Sequence, residues 1–312
     1  MDRITAGFDQ LTRFWLETAP ARGVVARLDE SMVSMLQHHD YPVAVSSLLR
    51  QLVGAAALLA SNLKQPAQVV LQAQGDGAVP LLCVEATDRL TFRAYANVRE
   101  DANIAADADL SSLVAPDGNG RFVLTIAPEE GQMYQGIVAL HAGSVSSLLA
   151  DYLTNSQQTQ TRLWLRQDGD ALEAMLLERL PDSRDEASDS AWEAVVAQAE
   201  TAFALPFMPF PYSEWLPFVF TGHDVRVHAA QPLSFSCSCT VERVLNALRL
   251  VGREELQPLI AEQGRVESRC EFCGKRYEVS ATQLADLFDH VDASHPPGSG
   301  TVPPSGRVML KA

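Results

Sequence analysis

The pattern of hydrophobic and polar positions predicts a protein of mixed helices and strands. From residue 43 to residue 63 apolar side chains recur at helical spacing, and Pro42 suits the first turn of such a helix. Arg50 and Asn62 interrupt the apolar run. We therefore expect a helix of the protein core and not a membrane span.

Shorter apolar segments after this helix are typical of β-strands, and Gly75-Asp76-Gly77 supplies a turn for a hairpin between the first two. The predicted strands are residues 69–73, 79–84, 90–98, 121–127, 133–140, 161–167 and 172–180. A helix is expected over residues 145–155. These elements predict an α+β fold for the N-terminal domain. Cys83 lies in a predicted strand, and we expect it to be an ordinary buried residue.

The composition changes at Pro181, where an acidic segment begins. Up to Val225 it holds eight acidic residues and a single basic one, Arg184. The acidic residues are Asp182, Asp185, Glu186, Asp189, Glu193, Glu200, Glu214 and Asp224. The negative charges of such a segment repel one another, so a helical linker here needs contacts with another part of the protein to stay folded.

Large apolar side chains are mixed into this acidic segment. The sequence Ser190-Ala191-Trp192-Glu193 matches a capping box and predicts a helix that begins there. Prolines interrupt the aromatic residues that follow, so the short helices can fold only by docking onto a neighbour. Two interpretations stay open: an ordinary connector, or a conditional cover that is loosely held. The candidate residues of this cover, and for binding other proteins once it is released, are Trp192, Val195, Phe203, Phe207, Trp215 and Phe218.

Four of the five cysteines form two close pairs near the C-terminus. Cys237 and Cys239 are separated by one residue, Cys270 and Cys273 by two, and 30 residues lie between the pairs. This spacing predicts Zn²⁺ bound by four thiolates. The same gaps allow each pair to form a disulfide once the metal leaves, although the Cys-x-Cys ring would be strained. The spacing of the cysteines is therefore compatible with a metal site and with a redox switch. The nearby histidines, which we do not expect as ligands, are His223, His228, His290 and His295.

The cysteines belong to a predicted small domain. Thr240 can cap a helix that Gly252 ends, a second helix is expected around Pro258, and residues 265–269 and 275–279 are predicted as the two strands of a hairpin. About 60 residues have little core, so bound metal would supply much of the folding free energy. The predicted organisation is an α+β domain 1–180, an acidic helical linker 181–230, a zinc-binding redox-switch domain 231–291 and a disordered tail 292–312.

Overall composition narrows the protein class. The 312 residues include 47% hydrophobic residues and carry a formal net charge of -15, which argues against a nonspecific nucleic-acid binder. The N-terminus lacks the pattern of a signal peptide, so we expect a cytoplasmic protein without a membrane partner. Free thiols persist in the reducing cytosol, which favours metal ligation or redox sensing over structural disulfides.

Three classes of function compete. In the first, a constitutive zinc module binds nucleic acid or protein, but seven basic and seven acidic residues between Cys237 and Ala281 disfavour nucleic acid. The second, a thiol-disulfide oxidoreductase, needs a reactive cysteine at a helix start, whereas Cys270 precedes a predicted strand. We therefore expect no enzyme and no catalytic residue. The third is a redox-gated binder, in which oxidation unfolds the small domain and releases the acidic linker. It alone accounts for all three regions.

Several segments make the chain resemble the heat shock protein 33 family of redox-regulated, ATP-independent holdase chaperones. Cys237-Ser238-Cys239 and Cys270-Glu271-Phe272-Cys273, followed by Tyr277, are similar to that family's zinc domain. Further similar segments are residues 240–256 (TVERVLNALRLVGREEL), 58–64, 72–77, 93–96 and 134–138. The resemblance covers nearly the whole chain.

The resemblance implies a mechanism. The reduced, zinc-bound form would not bind clients. Oxidation would join Cys237 to Cys239 and Cys270 to Cys273, release zinc, unfold the small domain and the linker, and favour a homodimer that holds unfolding proteins. A constitutive zinc-dependent interaction protein remains the alternative.

Overall fold

The structure is a computed structural model that describes residues 9–141, 143–157, 160–181, 186–208, 210–289 and 309–310. The chain divides into two compact units, Met1–Ser236 and Cys237–Ala312. The described part of the predicted linker 181–230 therefore belongs to the first unit. Asp182, Arg184 and Asp185 of that linker lie outside the described residues, as does most of the predicted tail 292–312.

Within its described residues, the first unit contains two six-stranded sheets and six helices. Its strands are β1 (Gln10–Leu16), β2 (Ala21–Leu28), β3 (Ala67–Gln74), β4 (Leu81–Thr87), β5 (Thr91–Asn97), β6 (Arg121–Pro128), β7 (Tyr134–Ala139), β8 (Thr161–Asp168), β9 (Ala171–Arg179), β10 (Val225–Val227), β11 (Gln231–Pro232) and β12 (Ser234–Phe235). Its helices are α1 (Glu30–Leu36), α2 (Val43–Ser61), α3 (Leu110–Val114), α4 (Val145–Gln157), α5 (Glu186–Ala204) and α6 (Tyr212–Val219).

Strand pairing in both sheets is antiparallel, except that β12 runs parallel to β5. The first sheet has the order β10-β1-β2-β9-β8, with β11 also paired to β1. The second sheet has the order β12-β5-β4-β3-β6-β7. The predicted hairpin across Gly75-Asp76-Gly77 is confirmed, because β3 and β4 pair in register from Gln74 and Leu81 outward.

Helix α2 packs against strands of both sheets and forms the centre of the main core. It is long and apolar enough to span a membrane, but most of its apolar residues are buried in this core, as the interrupted pattern predicted. Gly54 allows a close approach to β9, because a Cβ at this position would lie 2.3 Å from Leu172 Cδ2. The same core buries one face of the first sheet, through residues such as Leu28 and Ala174.

Helices α5 and α6 cover the other face of the first sheet, which we call the outer face. We call these helices and the residues that join them the cover. A second apolar cluster lies between the outer face and the cover. Its largest members are Phe14, Leu16, Val25, Met175 and Leu177 of the sheet and Trp192, Val195, Tyr212, Trp215, Leu216 and Phe220 on the cover side. Both helices are thus docked onto a neighbouring element, as predicted for short helices of this kind.

The predicted start of the linker helix at Ser190 is wrong, because α5 begins at Glu186. Contacts with β9 explain the earlier start. Arg179 donates a hydrogen bond to Ser188 Oγ at 3.0 Å and forms a salt bridge with Asp189 at 2.6 Å. These tertiary contacts hold an additional first turn in place, so the capping-box sequence lies inside the helix.

The second unit is built from α7 (Val241–Val251), α8 (Arg253–Gln263), β13 (Arg265–Arg269), β14 (Arg276–Ser280), α9 (Ala281–Asp289) and β15 (Met309–Leu310). Thr240 caps α7, since its Oγ1 accepts a hydrogen bond from the Arg243 N–H at 3.3 Å. Gly252 separates α7 from α8 with a φ of 97°, a backbone angle that favours glycine. The buried core is small: Val244, Leu248, Leu256, Val266, Tyr277, Val279, Leu284 and Leu287.

Candidate metal centre

Two chain segments of the second unit bring the four cysteines together. Cys237 and Cys239 lie just before the Thr240 cap of α7. Cys270 and Cys273 lie in the turn between β13 and β14. This turn is closed by the Cys270 N–H, which donates to Lys275 O at 2.9 Å, and by the Gly274 N–H, which donates to Cys270 O at 2.8 Å.

The sulfur positions fit a tetrahedral metal site. All four Sγ atoms lie within 4.8 Å of one another. Cys237 and Cys270 are 3.7 Å apart at Sγ, and Cys239 and Cys273 are 3.4 Å apart. A tetrahedron with metal–sulfur bonds of about 2.3 Å has edges of about 3.8 Å, whereas a disulfide bond is about 2.05 Å long. All four cysteines are therefore free thiols in a geometry that can hold a metal ion.

The cluster already favours a charged sulfur without a metal. A hydrogen bond from Cys270 Sγ lowers the pKa of Cys237 to about 4, with help from the Cys239 N–H. The same contact raises the pKa of Cys270, and burial raises the pKa of Cys273 to about 11. A bound cation would therefore displace protons from Cys270 and Cys273. Backbone N–H groups of Phe272 and Lys275 point at these two sulfurs and would stabilise the thiolates.

Polar side chains surround the sulfurs. Tyr277 donates its hydroxyl hydrogen to Cys239 Sγ at 3.1 Å, and Lys275 Nζ lies 5.1 Å from the centre of the Tyr277 ring. Arg243 donates to Ser238 Oγ at 2.6 Å, between the first two cysteines. Neither Arg243 nor Lys275 is among the residues predicted from the sequence to belong to this site. Their positions, three residues into a capped helix and two residues after Cys273, were the available signals.

The other candidate ligands lie elsewhere. Cys83 is buried in β4, as predicted, with Gln72 Nε2 3.7 Å from its sulfur. His223 contacts Thr18, and His228 packs edge-on against Trp15, all four in the first unit. His290 and His295 lie outside the described residues.

The candidate cover residues differ in burial. Trp192 and Val195 are fully buried, and Trp215 is 2% exposed. Phe203 and Phe207 are half-buried. Phe218 is 67% exposed, because it lies outside the stripe by which α6 packs on the outer face.

A buried ionic row on the outer face was missed by the sequence analysis. Arg27, Glu173 and Arg166 lie side by side on β2, β9 and β8. Glu173 is fully buried, and Tyr212 of the cover donates to its Oε1 at 2.9 Å. The sequence signal was weak: Arg166 and Glu173 lie in predicted strands, in which alternate side chains share a face, but no strand was predicted around Arg27.

Comparisons with known proteins agree with this architecture. The family model described as Hsp33 protein matches residues 9–280. A 33 kDa chaperonin of Methylobacillus flagellatus is 38% identical over 282 residues, which cover 90% of this chain and 94% of that protein. A 33 kDa chaperonin of Pseudomonas savastanoi pv. phaseolicola is 39% identical over 284 residues, with 90% and 93% covered.

A solved structure shows the same fold. The crystal structure of the 33 kDa chaperonin from Thermotoga maritima, a heat shock protein 33 homologue, superimposes with a TM-score of 0.74. It is 18% identical in sequence, and the match covers 92% of this chain and all of the other. The family model spans most of the chain, and the two curated relatives exceed a third in identity over nearly their whole length. The chain therefore belongs to the Hsp33 family of chaperones.

Proposed function

We propose that this protein is a redox-regulated holdase chaperone that is inactive while reduced and zinc-bound and becomes active on oxidation. The observation that carries the proposal is the cluster of four partly exposed thiols, with sulfurs within 4.8 Å of one another, in a unit with a small core. Such a unit depends on its metal for folding, and its partial exposure lets an oxidant reach the ligands.

Zinc is the metal that this donor set fits best, because four soft thiolates in tetrahedral positions are typical of Zn²⁺ sites. Cys237, Cys239, Cys270 and Cys273 would hold it. When bound, it would keep all four sulfurs as thiolates and join the start of α7 to the β13–β14 turn. Tyr277 and the backbone N–H groups at the turn would orient and stabilise these sulfurs.

The switch is the oxidation of the four thiolates to two disulfides. Family resemblance supports the pairs Cys237–Cys239 and Cys270–Cys273. As each S–S bond forms, two electrons pass from its two thiolates to hydrogen peroxide, whose O–O bond breaks and which, with two protons, becomes two molecules of water. Four ligands are lost in this way, so the site can no longer retain Zn²⁺, and the second unit loses its main support.

The cover is the element that oxidation is proposed to release. Two features of the cover support this role. Helix α6 has only eight residues and contains Pro217, and the indole Nε1 of Trp192 is buried without a hydrogen-bond partner among the described residues. An unsatisfied buried N–H costs about 1–3 kcal/mol. Release of the cover would expose the apolar outer face, and large exposed apolar surfaces bind other proteins.

The proposed partners are unfolding proteins, bound broadly and not by sequence. We further propose a homodimer in the oxidised state, a cytoplasmic location, and no binding of nucleic acid or membranes. We expect no enzymatic activity. Holding needs no ATP, and the sequence has no glycine-rich phosphate loop.

Light scattering of a denatured client tests the function. The client is diluted from denaturant into buffer without ATP, alone or with the protein. The oxidised, zinc-free protein should suppress aggregation, and the reduced, zinc-loaded protein should not. Activity of the reduced, zinc-loaded protein that is lost on oxidation would instead support a constitutive zinc-dependent interaction protein, and equal activity of the two forms would contradict redox regulation.

A further inference from the structure

The outer face of the first sheet is not uniformly apolar, because an ionic row crosses three of its strands. Arg27 on β2 is the cross-strand partner of Glu173 on β9, and Arg166 on β8 is its partner on the other side. Arg27 Nη2 donates to Glu173 Oε1 at 2.8 Å, and Arg166 Nε donates to Glu173 Oε2 at 2.7 Å. Two guanidinium groups face one carboxylate, so the row has a net positive charge.

The cover supplies backbone carbonyls to this excess charge. Arg166 Nη1 donates to Ala202 O at 2.8 Å and also to Leu205 O, at the C-terminal end of α5. Arg27 Nη2 donates to Met208 O at 3.0 Å. The last carbonyls of a helix have no partner within the helix and carry partial negative charge, so they suit a guanidinium group.

Aromatic rings of the cover complete the contacts of the two arginines. The Arg166 guanidinium lies 4.9 Å from the ring centre of Phe203, 5.0 Å from that of Phe207 and 5.7 Å from that of Trp215. The Arg27 guanidinium lies 5.2 Å from the ring centre of Tyr212. These distances are within the range of cation–π attraction. The cover therefore meets the row with a helix end and a cluster of aromatic side chains.

Departure of the cover would leave these arginines without their carbonyl and aromatic partners. A guanidinium group keeps its charge at any physiological pH, so the row cannot become neutral by losing a proton. Around it, the outer face offers apolar residues such as Phe14 and Met175. The exposed surface would then bind most tightly a segment that has an apolar side and that also supplies backbone carbonyls and aromatic rings to the two arginines.

We propose that the Arg27–Glu173–Arg166 row makes the opened outer face selective for client segments in which clustered aromatic residues follow the end of a helical turn. This inference rests on the proposed function, because it assumes that oxidation opens this face to clients. Aliphatic segments of equal hydrophobicity would bind the same surface more weakly. The row would thus determine which exposed segments the chaperone prefers.

Two matched peptides test this preference. The first has the sequence of residues 198–219 (QAETAFALPFMPFPYSEWLPFV), and the second carries leucine in place of Phe203, Phe207 and Trp215. Leucine keeps a comparable hydrophobic gain and removes the three rings that lie over the Arg166 guanidinium. Each peptide is labelled with a fluorophore and titrated with oxidised full-length protein, with anisotropy as the readout. The protein's own cover competes equally with both, so the ratio of dissociation constants is informative.

The oxidised wild-type protein should bind the aromatic peptide about tenfold more tightly than the leucine peptide, given three cation–π contacts. Arg166→Gln should reduce this ratio to about twofold or less. Arg166→Lys, which keeps the charge and loses the planar group, should give an intermediate ratio. Arg121→Gln is the matched control, because it removes an exposed arginine of the second sheet and should leave the ratio unchanged.

Equal binding of both peptides to the wild-type protein would overturn the inference, even if Arg166→Gln failed to fold. An unchanged ratio in folded Arg166→Gln would overturn it as well. Failure of the proposed function is distinguishable, since the oxidised wild-type protein would then not suppress client aggregation. Suppression of aggregation without any aromatic preference would overturn this inference alone.

Discussion

The hydroxyl group of Tyr277 donates a hydrogen bond to Cys239 Sγ at 3.1 Å, so a residue of the β13–β14 hairpin contacts a sulfur of the other cysteine pair. Burial and this contact raise the pKa of Tyr277, which keeps the hydroxyl protonated and able to donate. The hydrogen bond withdraws electron density from the sulfur and links the two halves of the site.

Tyr277→Phe should therefore weaken zinc retention and speed oxidation. Partners of metal ligands typically contribute about 10–100-fold in metal affinity, and we expect a loss in this range. Competition with a chromogenic chelator measures the affinity, and the rate of zinc release after peroxide measures the oxidation. Tyr134→Phe, which removes a hydroxyl from the first unit, is the control. Identical zinc affinity in both variants would contradict a role for Tyr277 in zinc binding.

The zinc content should depend on the clustered cysteines only. Cys270→Ser should lose most of the metal, because it leaves only three of the four thiolate ligands that a tetrahedral zinc site needs. Cys83→Ser should keep one zinc per chain, since Cys83 is buried in β4 of the first unit. Elemental analysis of the reduced proteins decides the matter, and an equal loss from both variants would contradict the assignment.

Zinc affinity should fall as the pH falls. The pKa of Cys273 is raised to about 11 and that of Cys270 is also raised, so the metal-free site holds these protons at neutral pH and must release them on binding. The pKa of Cys237, about 4, makes this sulfur a thiolate already. Each displaced proton changes the affinity by about tenfold per pH unit.

Chelator competition at about pH 6 and about pH 8 tests this linkage, after correction for protonation of the chelator itself. Weaker binding at the lower pH is expected. An affinity that did not change with pH would mean that the sulfurs are not protonated in the metal-free state.

Destabilising the cover should bypass the redox switch. Val195 is fully buried against the outer face and Phe203 packs on Arg166, so Val195→Asp with Phe203→Ser weakens docking without touching the cysteines. Burial of an unpaired charge and loss of the ring should together cost several kcal/mol. The reduced, zinc-loaded variant should then suppress client aggregation.

Phe218→Ser is the matched control for this variant. Its side chain is 67% exposed on the same cover, so its loss should not release the helices. If the Val195 and Phe203 variant stayed inactive until oxidised, docking of the cover would not be what keeps the reduced protein inactive. The cover would then be only a connector between the first sheet and the second unit.

Local signals made much of this fold predictable. The Thr240 cap, the turn at Gly75-Asp76-Gly77 and the cysteine spacing each depend on residues close in sequence, and the structure has the corresponding elements. The helix start at Ser190 was placed too late, because contacts from Arg179 extend α5. No strand was predicted for β1 or β2.

The ionic row shows why other features of the fold could not be predicted from the sequence. Arg27, Arg166 and Glu173 become neighbours only when β2, β8 and β9 pair, and no local pattern records that register. Likewise, the sequence indicated an amphipathic acidic segment and the need for docking, but not the face on which it docks. Long-range strand order decides both features.

Hydrogen exchange, followed by mass spectrometry in the reduced zinc-loaded and the oxidised states, tests the central claim most directly. Oxidation is expected to make residues 186–204 of the cover and residues 237–289 of the second unit exchange rapidly, because the cover is proposed to leave the outer face and the second unit to lose its metal. Strands β2 and β9 of the first sheet should remain protected in both states. Continued protection of α5 around Trp192 and Val195 after complete zinc release would contradict the account.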